Sequence, residues 1–145
     1  MKRFALVFAL VLVLAISAGA QDFGKFTAEV PDGWTASQNG PTVIFTKNDN
    51  TSSLTITVDE SGGATAAQLA EAFVGEFEKT GQFSEITKPE ADKDGDYSFD
   101  MTNKQGVVSN CLLRVDGGKY MLMVISGAEH GGDDIMKILN SVKEK

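Results

Sequence analysis

Residues 116–125 read DGGKYMLMVI, and this stretch decides the fold. Its first four residues carry the paired glycines of a tight hairpin turn, in which positive φ angles are required. The six residues after them, Tyr120–Ile125, contain no polar side chain apart from the Tyr120 hydroxyl. A strand that is apolar on both sides is typical of a sheet interior covered on both faces. The sequence therefore predicts a hairpin whose second strand lies centrally in a sheet between two layers.

Outward from this strand, the chain alternates between strand-like and helix-like patterns. Residues 66–79 repeat large apolar side chains at helical spacing, with a Thr65–Gln68 capping box before them and Gly81 after them. A second helix is predicted to begin near Asp133. The remaining segments alternate apolar and polar residues as strands do. The predicted strands are Phe26–Val30, Thr42–Thr46, Leu54–Val58, Phe83–Thr87, Asp96–Thr102, Val107–Val115 and Tyr120–Ile125.

The order of these elements is three strands, a helix, four strands and a helix. Short turns join most of the strands, so the seven-stranded sheet is predicted to be largely antiparallel. Because the central strand needs cover on both faces, we expect one helix on each, which gives an α+β fold of three layers, an α/β/α sandwich. One face should bury Leu69, Phe73 and Phe77, and the other should bury Ile135, Ile138, Leu139 and Val142.

This layout resembles the PsbP-like α/β/α sandwich of the DcrB- and PsbP-type small exported proteins. Residues 26–34 (FTAEVPDGW) resemble the opening strand and turn of that family, and Ser53–Glu60 followed by the helix from Ala66 fits as well. The resemblance implies that the last strand lies inside the sheet beside the third. It also implies a non-enzymatic protein that partners other proteins, and it supplies no catalytic residue to carry over.

The first twenty residues have the three parts of a secretory signal peptide. Met1-Lys2-Arg3 is basic, Phe4–Ile16 is uniformly apolar, and Ser17–Ala20 ends in the small residues that a signal peptidase accepts. We expect cleavage after Ala20, a single domain over residues 21–145, and a periplasmic or secreted location. A retained membrane anchor is the alternative, although the 17 apolar or small residues fall short of the roughly 20 that span a bilayer. Gln21 stands where a lipoprotein would need cysteine.

Charge and cysteine content exclude several functions. The whole chain has a net charge of −7, and loss of Lys2 and Arg3 with the signal would bring it to −9. Such acidity disfavours nucleic-acid and anionic-lipid partners, so neither nucleic acid nor stable membrane insertion after cleavage is expected. Cys111 is the one cysteine, so no internal disulfide can form, and its strand position predicts a small buried apolar side chain.

The residues best suited to form a functional site are Glu129, His130, Asp133 and Asp134. They combine nitrogen and oxygen ligands suited to a metal, but a single histidine without ligand spacing favours a polar loop whose acids lie before a helix. Glycines at 127, 131 and 132 would make this loop costly to order, so a tight metal site is not expected. The acidic run Asp92–Asp96 departs from the EF-hand spacing, because its glycine comes at the fourth position.

No nucleophile elbow, phosphate-binding loop or paired-carboxylate motif occurs in the sequence. The sequence therefore predicts a non-enzymatic exported protein, without a cofactor, that binds or assists another protein of the cell envelope. The alternative is a periplasmic carrier of a small ligand or a metal. A hydrolase whose site leaves no sequence signature is the third possibility.

Overall fold

The computed structural model describes residues Gly19–Lys145. The proposed signal peptide, apart from Gly19 and Ala20, lies outside the described residues. Within residues 19–145, no helix is both long and apolar enough to cross a membrane.

Two helices and two sheets make up the described part of the chain. The helices are α1 (Ala66–Lys79) and α2 (Ala128–Ser141). The larger sheet has the strand order β3-β4-β5-β10-β9-β8-β6, with β7 also pairing with β8, and the smaller has the order β1-β2-β11. The strands are β1 (Ala20–Asp22), β2 (Phe26–Glu29), β3 (Trp34–Asn39), β4 (Thr42–Lys47), β5 (Ser53–Glu60), β6 (Phe83–Ile86), β7 (Glu90–Ala91), β8 (Tyr97–Asn103), β9 (Val108–Asp116), β10 (Lys119–Ser126) and β11 (Lys143–Glu144).

Strand β10 lies inside the larger sheet, as the apolar run predicted. It pairs antiparallel with β9 through the predicted hairpin and with β5 on its other side. Met123, for example, lies opposite Ile56 on β5 and Leu112 on β9. Strand β5 is the third strand of the sequence prediction, so the implied neighbour is confirmed. All pairings in both sheets are antiparallel.

The α+β class is confirmed, but the strand count is higher than predicted. The larger sheet has eight strands, which are six of the seven predicted strands together with β3 and β7, whereas the predicted strand Phe26–Val30 is β2 of the smaller sheet. The sequence analysis missed β3, because WTASQN contains one large apolar residue and one β-branched residue. Trp34 and Ala36 nevertheless face the core at 4% exposure each, while the alternate residues Thr35 and Ser37 are exposed. Tertiary packing fixes this strand where local propensity does not.

Helix α1 begins and ends as the sequence predicts. The Thr65 side chain accepts a hydrogen bond from the Gln68 backbone N–H, and the Gln68 side chain accepts one from Thr65 N–H. Its packing differs, because Ala70 is the fully buried residue and Leu69, Phe73 and Phe77 are half-buried. The prediction that all three large side chains are buried is therefore corrected, because the small Ala70 is the fully buried residue of this helix.

Helix α2 begins at Ala128, five residues before the predicted start at Asp133. Gly127 is the N-cap residue and adopts the left-handed conformation, with φ 68°. Gly131 has φ −154° and interrupts the helical geometry, so a short first turn is joined to the main helix by a kink. Asp133 therefore lies within the helix and is not its cap, which corrects the prediction.

The two helices belong to hydrophobic clusters that contain different residues of the same central strand. Leu122 belongs to the cluster with Leu69, Ala70 and Phe73 of α1. Met123 belongs to the larger cluster with Ile135 and Ile138 of α2. Consecutive residues of a strand point to opposite sides of a sheet.

The smaller sheet joins the two ends of the described chain. Strand β2 pairs with β1 on one side and with β11 on the other. Lys145 adds an ion pair with Asp22 and a backbone hydrogen bond to Lys25 O of 3.1 Å. The Ser141 hydroxyl, at the end of α2, accepts a 2.8 Å hydrogen bond from Glu29 N–H. These contacts fasten the smaller sheet to α2.

Candidate functional site

The four candidate metal ligands lie along the first two turns of α2 and point to different partners. Asp134 accepts a 3.0 Å hydrogen bond from the Trp34 indole N–H and lies 3.8 Å from Lys137 Nζ. His130 Nε2 lies 3.6 Å from Glu129 Oε1, and both side chains are exposed. Asp133 is exposed as well. In residues 19–145, no three His, Cys, Asp or Glu side chains converge in a way that could hold a metal ion.

Zinc titration of the chain from Gln21 should give no binding at micromolar concentration. A tight zinc site needs three or four preorganised ligands, whereas Asp134 is already held by Trp34. Isothermal titration calorimetry measures this directly, with His130→Ala as the matched control. Micromolar affinity that disappears in His130→Ala would contradict the expectation.

Two glycines fix the start of α2 against the β4–β5 turn. A Cβ atom added at Gly127 would lie 2.0 Å from Thr51 O, and one added at Gly131 would lie 2.7 Å from Ser52 Oγ. Lys47 Nζ donates a 2.8 Å hydrogen bond to His130 O from the same side. The loop that appeared flexible in the sequence is therefore a close-packed junction between the helix and the sheet.

Beside this junction lies a surface groove of about 530 Å³, which we call the hydroxyl-lined groove. Ile44 and Val107 line it with 40% and 48% of their surface exposed. Ser126 lies among the lining hydroxyl residues, and its Oγ is 2.6 Å from Ser109 Oγ. The residues lining the groove are Ile44, Thr46, Asn50, Thr51, Ser52, Ser53, Val107, Ser126, Gly127, Glu129 and His130.

The groove continues into one face of β3, β4 and β5. Neighbours across these strands include the Thr42–Thr57 pair, whose hydroxyl oxygens are 2.8 Å apart, and the Ile44–Thr55 pair. None of these residues up to Thr57 is charged, although the whole chain carries a net charge of −7, and Asp59 follows on the same face of β5. The alternate residues on this face are Thr35, Ser37, Asn39, Thr42, Ile44, Thr46, Ser53, Thr55 and Thr57.

Sequence reasoning did not identify this surface. Its strongest local signal is the alternation of Thr42, Ile44 and Thr46, which was interpreted only as a strand pattern. The groove brings together residues near 44, 52, 107 and 127, and their proximity depends on the sheet order.

The acidic segment Asp92–Asp96 forms the turn between β7 and β8. Asp92 Oδ1 accepts hydrogen bonds from the backbone N–H groups of Asp94, at 2.8 Å, and Asp96, at 3.0 Å. The Asp96 carboxylate, nearly buried, is bound by Arg114 through Nε and Nη2, and this raises the pKa of Arg114. These side chains stabilise a turn, in agreement with the departure from EF-hand spacing.

Cys111 is buried in β9 at 2% exposure, beside Phe99 and Met101. Burial, with a smaller effect from the Asp100 charge, raises the pKa of its thiol to about 12. Since the thiolate is the reactive form, the native thiol should be inert at neutral pH.

Native Cys111 should react with a thiol reagent at pH 8 at least about 100-fold more slowly than the unfolded chain, because burial suppresses both ionisation and access. Ellman's reagent with and without guanidinium measures the ratio of the two reaction rates.

The raised pKa of Cys111 also lowers the free energy of unfolding as the pH rises from 9.0 to about 12, because the thiol of the unfolded chain ionises first in this range. The free energy of unfolding should fall by about 1.4 kcal/mol per pH unit across this range. Cys111→Ala should lack this component, and equal native and unfolded reaction rates would contradict burial.

Comparisons with known proteins address the fold. Neither a protein-family model nor a curated protein matches the chain. Among solved structures, the chain is similar to cyanobacterial PsbP (CyanoP) from Synechocystis sp. PCC 6803. The TM-score is 0.56 at 16% identity, covering 89% of this chain and 94% of that one. A crystal structure from Bacteroides thetaiotaomicron VPI-5482 gives a TM-score of 0.49 at 13% identity, covering 83% of this chain and 45% of that one. The similarity to CyanoP shows that the fold is PsbP-like, as the sequence predicted.

Proposed function

We propose that this PsbP-like chain is an exported, non-enzymatic accessory protein that binds another protein of the cell envelope. The hydroxyl-lined groove is the observation that carries the proposal. It joins two exposed aliphatic side chains, Ile44 and Val107, to a sheet face whose alternate residues on β3, on β4 and on β5 up to Thr57 are uncharged, although the whole chain is strongly acidic. Binding surfaces are commonly depleted of charge at their centre, and exposed apolar groups there are desolvated on association.

The proposal includes the architecture and the processing of the chain. Residues 1–20 act as a cleaved signal peptide, and residues 21–145 form one domain. The domain is a three-layer α/β/α sandwich, which is supported by the presence of Leu122 in the cluster with α1 and of Met123 in the cluster with α2. In this arrangement each helix covers one part of the larger sheet, and the β3–β5 face carrying Ile44 stays uncovered for a partner.

A pull-down with chemical crosslinking tests the function. The tagged chain from Gln21 is incubated with the envelope fraction of the source organism, beside the double variant Ile44→Asp/Val107→Asp. Met136→Asp is the matched control, since Met136 is 53% exposed but lies on α2 outside the groove. We expect one crosslinked partner with the parent and with Met136→Asp, and its loss with the double variant. Capture that the double variant retains would refute the groove as the binding surface.

The groove also keeps the carrier alternative open. Its volume of about 530 Å³ lies in the range of small-ligand sites, and its hydroxyl groups can orient a neutral ligand. If the chain is a carrier, the variant Ile44→Asp/Val107→Asp should lose the ligand even when no protein partner is present. Native mass spectrometry of protein purified from its source under non-denaturing conditions distinguishes the two functions.

A further inference from the structure

The side-chain amide of Gln21 has a buried nitrogen that makes no hydrogen bond. Gln21 lies in β1 opposite Ala28 of β2, and Ala28 is fully buried. Gln21 Nε2 is buried without a hydrogen-bond partner, and it is the single buried side-chain nitrogen or oxygen atom of this kind in residues 19–145. A buried amide N–H without a partner costs free energy, because water solvates the group in the unfolded chain.

The backbone of Gln21 is better satisfied than its side chain. Phe23 N–H donates a 2.9 Å hydrogen bond to Phe26 O, which closes the two-residue turn between β1 and β2. Hydrogen-bonded and non-hydrogen-bonded pairs alternate along an antiparallel ladder. Asp22 and Thr27 are therefore a non-hydrogen-bonded pair, and Gln21 and Ala28 are the next hydrogen-bonded pair. The Gln21 nitrogen thus needs one N–H to hold β1 on β2.

We propose that Gln21 becomes the N-terminal residue and cyclises to pyroglutamate. The inference rests on the proposed removal of residues 1–20. The lone pair of the neutral α-amine attacks Cδ of the Gln21 side chain, and a five-membered lactam forms as the Cδ–Nε2 bond breaks. One amine hydrogen leaves with the amide nitrogen as ammonia. No oxidant, metal or second substrate takes part.

The structure favours the cyclic product for two reasons. Loss of ammonia removes the buried Nε2 that has no hydrogen-bond partner. The lactam nitrogen carries no charge, whereas a free terminus would place an ammonium charge on the half-buried Gln21. Cyclisation therefore removes both the amide and the charge.

Intact-mass and N-terminal peptide mass spectrometry test the proposal on the full chain, exported with its own leader from a bacterial host and then incubated at neutral pH. We expect the mass of residues 21–145 less one ammonia. Gln21→Leu, which matches the side chain in size but cannot cyclise, should give the full mass of its own residues 21–145. An open Gln21 terminus would overturn cyclisation and leave the signal cleavage intact. A terminus at any other residue would overturn both.

A stability measurement tests the structural reason. The open and cyclic forms differ by one charge, so ion exchange separates them shortly after purification. We expect the cyclic form to unfold at a higher urea concentration than the open form. An equal or lower midpoint would show that the buried amide and the terminal charge do not drive the preference, and would overturn the structural argument.

Discussion

Gly127→Ala should unfold at a much lower urea concentration than the parent chain. The added Cβ would lie 2.0 Å from Thr51 O, and this oxygen belongs to backbone that cannot rotate away. Gly127 also has φ 68°, a conformation that costs an L-residue about 1–2 kcal/mol. Displacement of a packed backbone adds about 1–3 kcal/mol. We therefore expect a total loss of about 2–5 kcal/mol in the free energy of unfolding.

Gly132→Ala is the control for this substitution. It lies in the same helix, its φ is outside the left-handed region, and a Cβ there meets no atom within 4 Å. Alanine favours a helix over glycine by about 1 kcal/mol, so Gly132→Ala should keep or raise stability. Chemical denaturation of both variants gives the comparison. Similar midpoints for Gly127→Ala and the parent would mean that α2 does not start against Thr51.

Phe45→Ala should cost about 3–5 kcal/mol, because the side chain is fully buried and its removal leaves a cavity. Phe45 packs edge-to-face on Phe23, with ring centroids 5.6 Å apart, in the cluster between β4, β5 and α2. Phe73→Ala is the matched comparison. The centroid of its ring lies 5.3 Å from that of Tyr120, but the side chain is only half-buried. We therefore expect a loss of about 1–3 kcal/mol in the free energy of unfolding.

Urea denaturation monitored by circular dichroism measures both losses on the same scale. We expect Phe45→Ala to unfold at a clearly lower urea midpoint than Phe73→Ala. The reverse order would mean that the α1 side of the sheet, and not the α2 side, holds the principal core. A small loss in both variants would contradict the packing of the whole domain.

The central strand and α1 could be predicted from sequence because each has a strong local signal. Tyr120–Ile125 is apolar throughout, and Thr65 with Gln68 satisfies early helix donors within one turn. The start of α2 could not be predicted in this way. Gly127 and Gly131 usually indicate a loop, and their helical role depends on contact with Thr51 and Ser52, which are distant in sequence.

The candidate site shows the same limit. Sequence reasoning selected Glu129, His130, Asp133 and Asp134 because they are close in the chain, but Asp134 is held by Trp34, 100 residues away. The hydroxyl-lined groove could not be predicted, because its serine, threonine and valine residues form no recognisable sequence motif. Only the pairing of β5 with β10 brings Ser53 to Ser126 and so joins the two sides of the groove.

The pairing of β5 with β10 also affects the order of folding. Leu54 lies opposite Ile125, so the contact must close a loop of about seventy residues, whereas β3, β4 and β5 are joined by short turns. Distant pairings form late, because loop closure costs entropy before contacts repay it. Until β10 arrives, β5 has an unpaired edge eight residues long that includes Leu54, Ile56 and Val58. Such an edge recruits other strands, so a chain halted before residue 119 should aggregate through β5.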